Sequence, residues 1–337
     1  FAYSVSGNGL VVVGDSLFST GFVLQAFRWV SSGGGGSGVM TSLGTLPGGA
    51  ESSAFAANQT GSVVVGVSSI SSGDDRAFRW TSAGMVNLGA LPGGLFSGAT
   101  GVSGDGLSIA GYSDTPDGVR AFRWTGNAAG AGVMADLGTP PDGFDSYAAA
   151  ISADGSTVAG NGSFPAGTFA TVWTSAAGMV MLPALQDGFE AFAYGVSGDG
   201  AVIVGKCTLI DGDRAFVWSA ETSTLDLETY LQTLGINLTG WRLTAANGVS
   251  TDATTIVGKG FHNGVEEAWV ATIPSLVNPC SPCIADFNQD GGVTGDDVRD
   301  FFGVWSIGEP CGDTNQDGGV DGADVERFFT RWELGLC

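Results

Sequence analysis

Basic residues are scarce in this chain. Its 337 residues hold 12 Lys and Arg against 34 Asp and Glu, with one His and a net charge of −22. The lysines are Lys206 and Lys259 alone. That balance excludes electrostatic docking to nucleic acid or to an anionic membrane surface, and it suits divalent cations. The single histidine, His262, reads as a surface-loop residue near the last unit's turn rather than as a base. No run of about 18 apolar residues occurs, so no transmembrane helix is expected. Charged residues are only 14%, but hydrophobic residues reach 43% and glycines number 57. The chain can therefore bury a large core and is no disordered acidic segment. No signal peptide is visible: Phe1 opens inside a repeat, and a leader is expected to have been removed or left out.

The repeat is the main content of residues 1–274. "QAFRW" (25–29) returns as "RAFRW" (76–80), "RAFRW" (120–124), "FATVW" (169–173), "RAFVW" (214–218) and "EAWVA" (267–271). An apolar strand ending in glycine precedes each, as in "LVVVG" (10–14) and "AVIVG" (201–205). Turns such as "SGDG" (103–106) and "SADG" (152–155) close the strand before that. Between units sit "LGTLPGG" (43–49), "LGALPGG" (88–94) and "LGTPPDG" (137–143). Each unit reads as about four short strands with glycine turns, at a period of about 45 residues. The fold class expected is mainly β, a six-bladed β-propeller, with a parallel β-helix as runner-up. The last unit ends at Pro274 and shows no counterpart of the fourth strand at "MVNLG" (85–89). Such an open edge could accept a strand.

Within the units, Phe27 and Trp29, Phe78 and Trp80, and Phe122 and Trp124 lie two apart and share a face, which should pack blade on blade. Arg79 and Arg123 fall on the other face and are expected to pair with turn aspartates. Asp105, Asp154 and Asp199 precede glycines and read as turn formers. "LDLETYLQTLG" (225–235) predicts a short helix with Leu227, Leu231 and Leu234 on one face. These units resemble the HAF family of extracellular repeats over nearly all of residues 1–274. Gln25, Arg76, Arg120 and Arg214 stand where that family has its histidine. The resemblance implies an exported protein and supplies no chemistry.

The tail holds a second repeat. "DFNQDGGVTGDDVRDFFGVW" (286–305) returns as "DTNQDGGVDGADVERFFTRW" (313–332), identical at 13 of 20 places. Asp286, Asn288, Asp290, the Gly292 carbonyl, Thr294 and Asp297 occupy positions one, three, five, seven, nine and twelve of a calcium loop. Asp313, Asn315, Asp317, Gly319, Asp321 and Asp324 occupy the same places in the second copy. Two Ca2+ sites are expected. Behind the loops, Val298, Phe301, Phe302 and Trp305 keep helical spacing, as do Val325, Phe328, Phe329 and Trp332. Cys280, Cys283, Cys311 and Cys337 bracket the two halves, while Cys207 stands apart as a buried free thiol. Four cysteines allow three pairings, and "CSPC" also has zinc-ligand spacing. Paired cysteines would imply an oxidising, extracytoplasmic setting.

Residues 283–337 resemble a dockerin, the calcium-dependent plug module of secreted bacterial proteins. The resemblance implies two loop–helix halves related by a pseudo-twofold axis, and a protein partner of the cohesin kind. It also implies that Cys283 meets Cys337, leaving Cys280 with Cys311. Dockerins often carry Ser or Thr at loop positions ten and eleven, where this chain has Gly295-Asp296 and Gly322-Ala323. The division expected is a propeller at 1–274, a linker at 275–283 and a small α domain at 284–337. The function expected is a secreted, non-catalytic structural or adhesive propeller. Its tail would dock to a partner or to itself, as in a filament. The alternative is a carbohydrate-binding or glycoside-cleaving propeller tethered by its tail.

Overall fold

The structure is a computed structural model. It describes residues 1–18, 23–33, 36–273, 285, 287, 293–306, 312, 314 and 320–334. The chain divides into two compact units, Phe1–Pro274 and Ser275–Cys337. Among the described residues, the first unit holds six antiparallel sheets, each running through its strands in chain order. They span residues 2–44, 52–87, 97–136, 145–181, 190–226 and 241–272. The first five have four strands and the sixth has three. The sequence reading expects no fourth strand in the last unit, and the residues after Ile273 that bear on it lie outside those described.

One irregularity recurs in every sheet. The first strand slips register against the second, between Ala54 and Ala56 in the second sheet and between Ala148 and Ala150 in the fourth. The slip brings a first-strand carbonyl over the glycine that ends the apolar stretch of the second strand. A Cβ on Gly111 would lie 2.0 Å from the Gly98 carbonyl oxygen and 2.8 Å from the Phe122 ring. The corresponding carbonyl distances are 2.0 Å at Gly66, 2.1 Å at Gly160 and 1.9 Å at Gly205. Only glycine tolerates both the bulge above it and the aromatic ring laid against it.

Sheets stack face to face in series. Phe78 and Trp80 of the second sheet pack with Val13 and Ala26 of the first. Phe122 and Trp124 of the third pack with Val65 and Ala77 of the second. The aromatic pair thus faces the preceding sheet, as strand alternation requires. Hydrogen bonds repeat across the same seams. The amide of Ala77 donates to the Ser97 hydroxyl at 2.9 Å, and that hydroxyl donates to the Gly89 carbonyl. Ser52 and Ser146 make the same relay from Ala26 and Ala121.

The arginines depart from expectation. Arg28, Arg79 and Arg123 donate from Nε to the carbonyls of Gly61, Gly106 and Gly155, at 2.8, 3.2 and 2.9 Å. Their partners are turn glycines of the following sheet, not turn aspartates. A glycine at positive φ, as at Gly106 (φ +75°), turns its carbonyl outward to an incoming guanidinium. The aspartates are engaged within their own turns. Asp105 accepts from the Ser103 hydroxyl at 2.6 Å and from the Leu107 amide at 2.9 Å.

A helix α1 spans Leu227–Thr233, capped by Asp226, which accepts from the Thr229 amide. Leu227 and Leu231 are buried, but Leu234 lies past the last turn and is 39% exposed, so only two of the three expected leucines form its inner face. No helix among the described residues is long and apolar enough to cross a membrane.

Gly111→Ala is expected to destabilise the first unit by about 3 kcal/mol or more, because the clash is with backbone that cannot yield. Urea unfolding of the variant checks this. A half-buried turn glycine with open space where a Cβ would stand, Gly138, is the control: its change to Asn should cost far less.

Candidate functional site

Both lysines of the chain line one cleft. It lies between the fifth and sixth sheets and has a volume of about 580 Å³. Lys206 and Lys259 reach it from equivalent places, each directly after the glycine of its second strand. Arg242, Asp211, Asp213, Glu266, Tyr194 and Phe261 complete its charged and aromatic lining. No residue of this cleft was singled out from the sequence. The signal was available: the position after that glycine holds Asp15, Val67, Tyr112 and Asn161 in the first four units, and lysine only in the last two.

Every charge in the cleft is matched. Lys206 Nζ lies 3.0 Å from Asp213 Oδ2, and Lys259 Nζ lies 2.9 Å from Glu266 Oε1. Arg242 Nη2 stands 3.7 Å from Asp211 Oδ2 and donates to the Asp211 carbonyl. Burial pulls the Lys206 ammonium down, but its hydrogen bond to Asp213 together with the charges of Tyr194, Asp213 and Glu190 holds it above the ordinary lysine range. Burial pushes the Asp213 carboxyl up, but the bonds from Lys206 and the Thr208 hydroxyl bring it below the usual carboxylate range. Burial raises the Tyr194 phenol, so it remains a neutral donor. This arrangement offers fixed hydrogen-bond donors and acceptors beside aromatic rings. Asp213 lies against Lys206 and Thr208, whose bonds favour its ionised form.

The other sequence candidates separate. His262 ends the second strand of the sixth sheet, Thr255–His262, rather than standing in a loop. Its ring stacks on Trp241 at 4.6 Å, with Nδ1 3.5 Å from Glu267 Oε2. Cys207 is a free, fully buried thiol whose pKa burial pushes up, which makes it an inert core residue.

In the second unit, Asp286, Asn288, Asp290, Gly292, Asp313, Asn315, Asp317 and Gly319 lie outside the described residues, as do Cys280, Cys283, Cys311 and Cys337. Thr294, Asp297, Asp321 and Asp324 are described. Helices α2 (Gly295–Trp305) and α3 (Gly322–Leu334) begin two residues ahead of the position-twelve aspartates. Phe301 and Phe328 stack face to face at 4.1 Å and are fully buried. The Trp305 indole donates to the Asp321 carbonyl at 2.8 Å, and the Trp332 indole donates to the Thr294 carbonyl at 3.1 Å. Each helix thus grips position nine of the opposite loop. Asp297 and Asp324 are both 0% exposed. Their Oδ2 atoms accept from the amides of Thr294 and Asp321, at 2.7 and 2.8 Å.

No protein-family model and no curated protein matches the chain. Solved structures do. A putative TolB from Agrobacterium tumefaciens superimposes with a TM-score of 0.51 at 15% identity, over 81% of this chain and 89% of that one. A puromycin-hydrolyzing peptidase from Mycobacterium tuberculosis gives 0.50 at 16% identity, over 83% of this chain and 46% of its own. TolB from Acinetobacter baumannii gives 0.46 at 13% identity, over 66% and 52%. The chain thus spans about half the length of the last two. The likeness is one of fold: a mainly β, propeller-type stack of antiparallel sheets.

The cleft's pairs carry a pH signature. A lowered Asp213 contributes stability above the ordinary carboxylate pKa of about 3.9, lost as pH falls through its lower folded value. A raised Lys206 contributes below about 10.4, and this is lost as pH rises through its higher folded value. The pair therefore holds across the neutral range and fails first in acid. Carbon-detected NMR should find Asp213 titrating below its unfolded value, and Lys206→Met should move that midpoint up.

Proposed function

We propose that this chain is a secreted, non-catalytic structural or adhesive protein, built as a six-bladed β-propeller of HAF-type repeats with a dockerin-like tail. The tail binds two Ca2+ ions and docks to a protein partner of the cohesin kind or to another copy, in the manner of an extracellular filament subunit. The observation that carries this reading is the reciprocity of the two tail halves. Phe301 on Phe328, and each tryptophan on the other loop's position nine, is the pairing a pseudo-twofold module requires.

The donor chemistry fits calcium. Asp297 and Asp324 are carboxylates without solvent exposure at the last position of each loop. Buried carboxylates are stable when paired or bound to a cation. Asp286, Asn288, Asp290, the Gly292 carbonyl, Thr294 and Asp297 would hold one ion. Asp313, Asn315, Asp317, the Gly319 carbonyl, Asp321 and Asp324 would hold the other. The ion would supply positive charge that offsets the mutual repulsion of these acids. The protein's own part is to fix position nine through the tryptophans and position twelve through the helix starts. Cys283 with Cys337 and Cys280 with Cys311 would staple the small core.

A second reading, a carbohydrate-binding propeller tethered by the tail, is favoured by one feature: the charge-balanced cleft of Lys206, Lys259 and Arg242 beside Tyr194 and Phe261. Such a lining suits a neutral polyhydroxyl ligand, and a glycan array separates this reading from the first.

Calcium removal is the deciding test. Metal binding should be coupled to folding of the tail. Chelator should therefore abolish amide-exchange protection in α2 and α3 and leave the first unit unchanged. Asp297→Ala and Asp324→Ala should each weaken calcium binding by tenfold or more in calorimetry, on the order of 1.4 kcal/mol or more. Unchanged tail protection after complete calcium removal overturns the reading.

A further inference from the structure

Consecutive sheets meet through one repeated seam. The leading side of each seam centres on the alanine of the third strand: Ala26, Ala77, Ala121, Ala170 and Ala215, all 0–1% exposed. Beside it lies the residue before the second-strand glycine, Val13, Val65, Ala110, Ala159 and Val204, each 0% exposed. The trailing side centres on the first-strand alanine opposite that glycine: Ala54, Ala99, Ala148, Ala193 and Ala246, at 0–3%. Small residues on both sides let the two sheets approach closely.

The two ends of the series carry the same halves uncovered. On the sixth sheet the leading residues are Ala268, which is exposed, and Val257, which is 45% exposed. Val270, in the place of Arg28, Arg79 and Arg123, is 69% exposed. On the first sheet the trailing alanine, Ala2, is exposed and Val5 is 54% exposed. Among the described residues, the sixth sheet does not pack on the first as consecutive sheets pack on each other. The molecule therefore presents a socket at one end and its own matching plug at the other.

We propose that the leading face of the sixth sheet receives the trailing face of the first sheet of a second copy. The stacking of sheets then continues from one chain into the next. The occupant is argued from the seam itself. It is used five times within the chain, and each half left over is built of the residue types that its counterparts bury. At the fourth and fifth seams the arginine position is already valine, Val172 and Val217, so Val270 gives the sixth seam the same apolar form. A contact between two different faces is heterologous and leaves a free end after each addition, which yields a linear polymer. This deepens the filament reading above, but it places the contact in the sheets and requires neither calcium nor the tail.

The test is sedimentation velocity of the full chain over a range of concentrations, with calcium and with chelator. Concentration-dependent self-association that survives chelation is expected. Val270→Glu and Ala2→Glu should each weaken it about 100-fold, since either buries a carboxylate in an apolar seam. Both positions are exposed, so circular dichroism should be unchanged. The two variants mixed one to one should form a dimer and stop there, because only one productive seam remains. A monomer at every concentration overturns the proposal and signals closure within one chain. Association that vanishes with chelator and ignores both substitutions also overturns it, and leaves tail docking as the source. A mixture that stays monomeric overturns the head-to-tail geometry.

Discussion

The first unit depends on a close backbone approach repeated once per sheet. A first-strand carbonyl bulges over the second-strand glycine, and at Gly14, Gly111, Gly205 and Gly258 an aromatic ring from the third strand covers the same glycine from the side. Three strands are thereby locked in register at one point. The lock decides which residues of the third strand face forward, and so sets the alanine of "AFRW" against the next sheet and the phenylalanine against the previous one. A one-residue slip would exchange those faces and destroy both seams at once. That geometry fixes one glycine in each sheet, while many of the others take a positive φ in turns.

Polar groups at the seams are consumed by the architecture. Ser52, Ser97 and Ser146 each accept from an amide of the preceding sheet and donate their hydroxyl to the carbonyl of Gly44, Gly89 or Gly138. Arg28, Arg79 and Arg123 satisfy turn carbonyls of the next sheet, and Arg79 does so while almost fully buried. Each such bond matters mainly because its absence would leave a buried donor or acceptor unmet. What remains free for chemistry is small, and it concentrates where the units diverge most. The fifth and sixth units replace the earlier Asp, Val, Tyr and Asn with two lysines and surround them with matching acids.

Much of the fold was legible because it is written several times. Six occurrences of one phrase expose the strand order, and alternation assigns Phe78 and Trp80 to one face without further information. The arginine partners were not legible, because a carbonyl acceptor leaves no residue letter behind it; Asp105 is visible in the sequence and Gly106 O is not. The cleft was missed because its residues come from separate strands between Tyr194 and Glu266, and no short motif contains them. In the tail, the helices follow from spacing, while the stacking of Phe301 on Phe328 is seen only in the structure. The reciprocal bonds of Trp305 and Trp332 required the two halves to be seen together.

The sixth unit departs from the repeat at its end. Ala271 stands where the other five units have Trp29, Trp80, Trp124, Trp173 and Trp218. The lost side chain helps to open an apolar groove of about 480 Å³ lined by Ala271, Trp269, Leu231 and Trp241. The Trp269 indole N–H in that groove is buried and makes no hydrogen bond. Pro274 reads as a stop, which suggested that the fourth segment of this unit was missing. Aligned by the third-strand register, however, "TIPSLVN" at 272–278 falls on "TSAGMVN" at 81–87, whose last four residues are the fourth strand of the second sheet. Pro274 then falls on Ala83, the residue before the fourth strand of the second sheet. The alignment puts Leu276 at the place of Met85 and Asn278 at the place of Asn87, the residue paired with Phe78. The sixth unit thus carries, at residues outside those described, a sequence segment that aligns with that fourth strand.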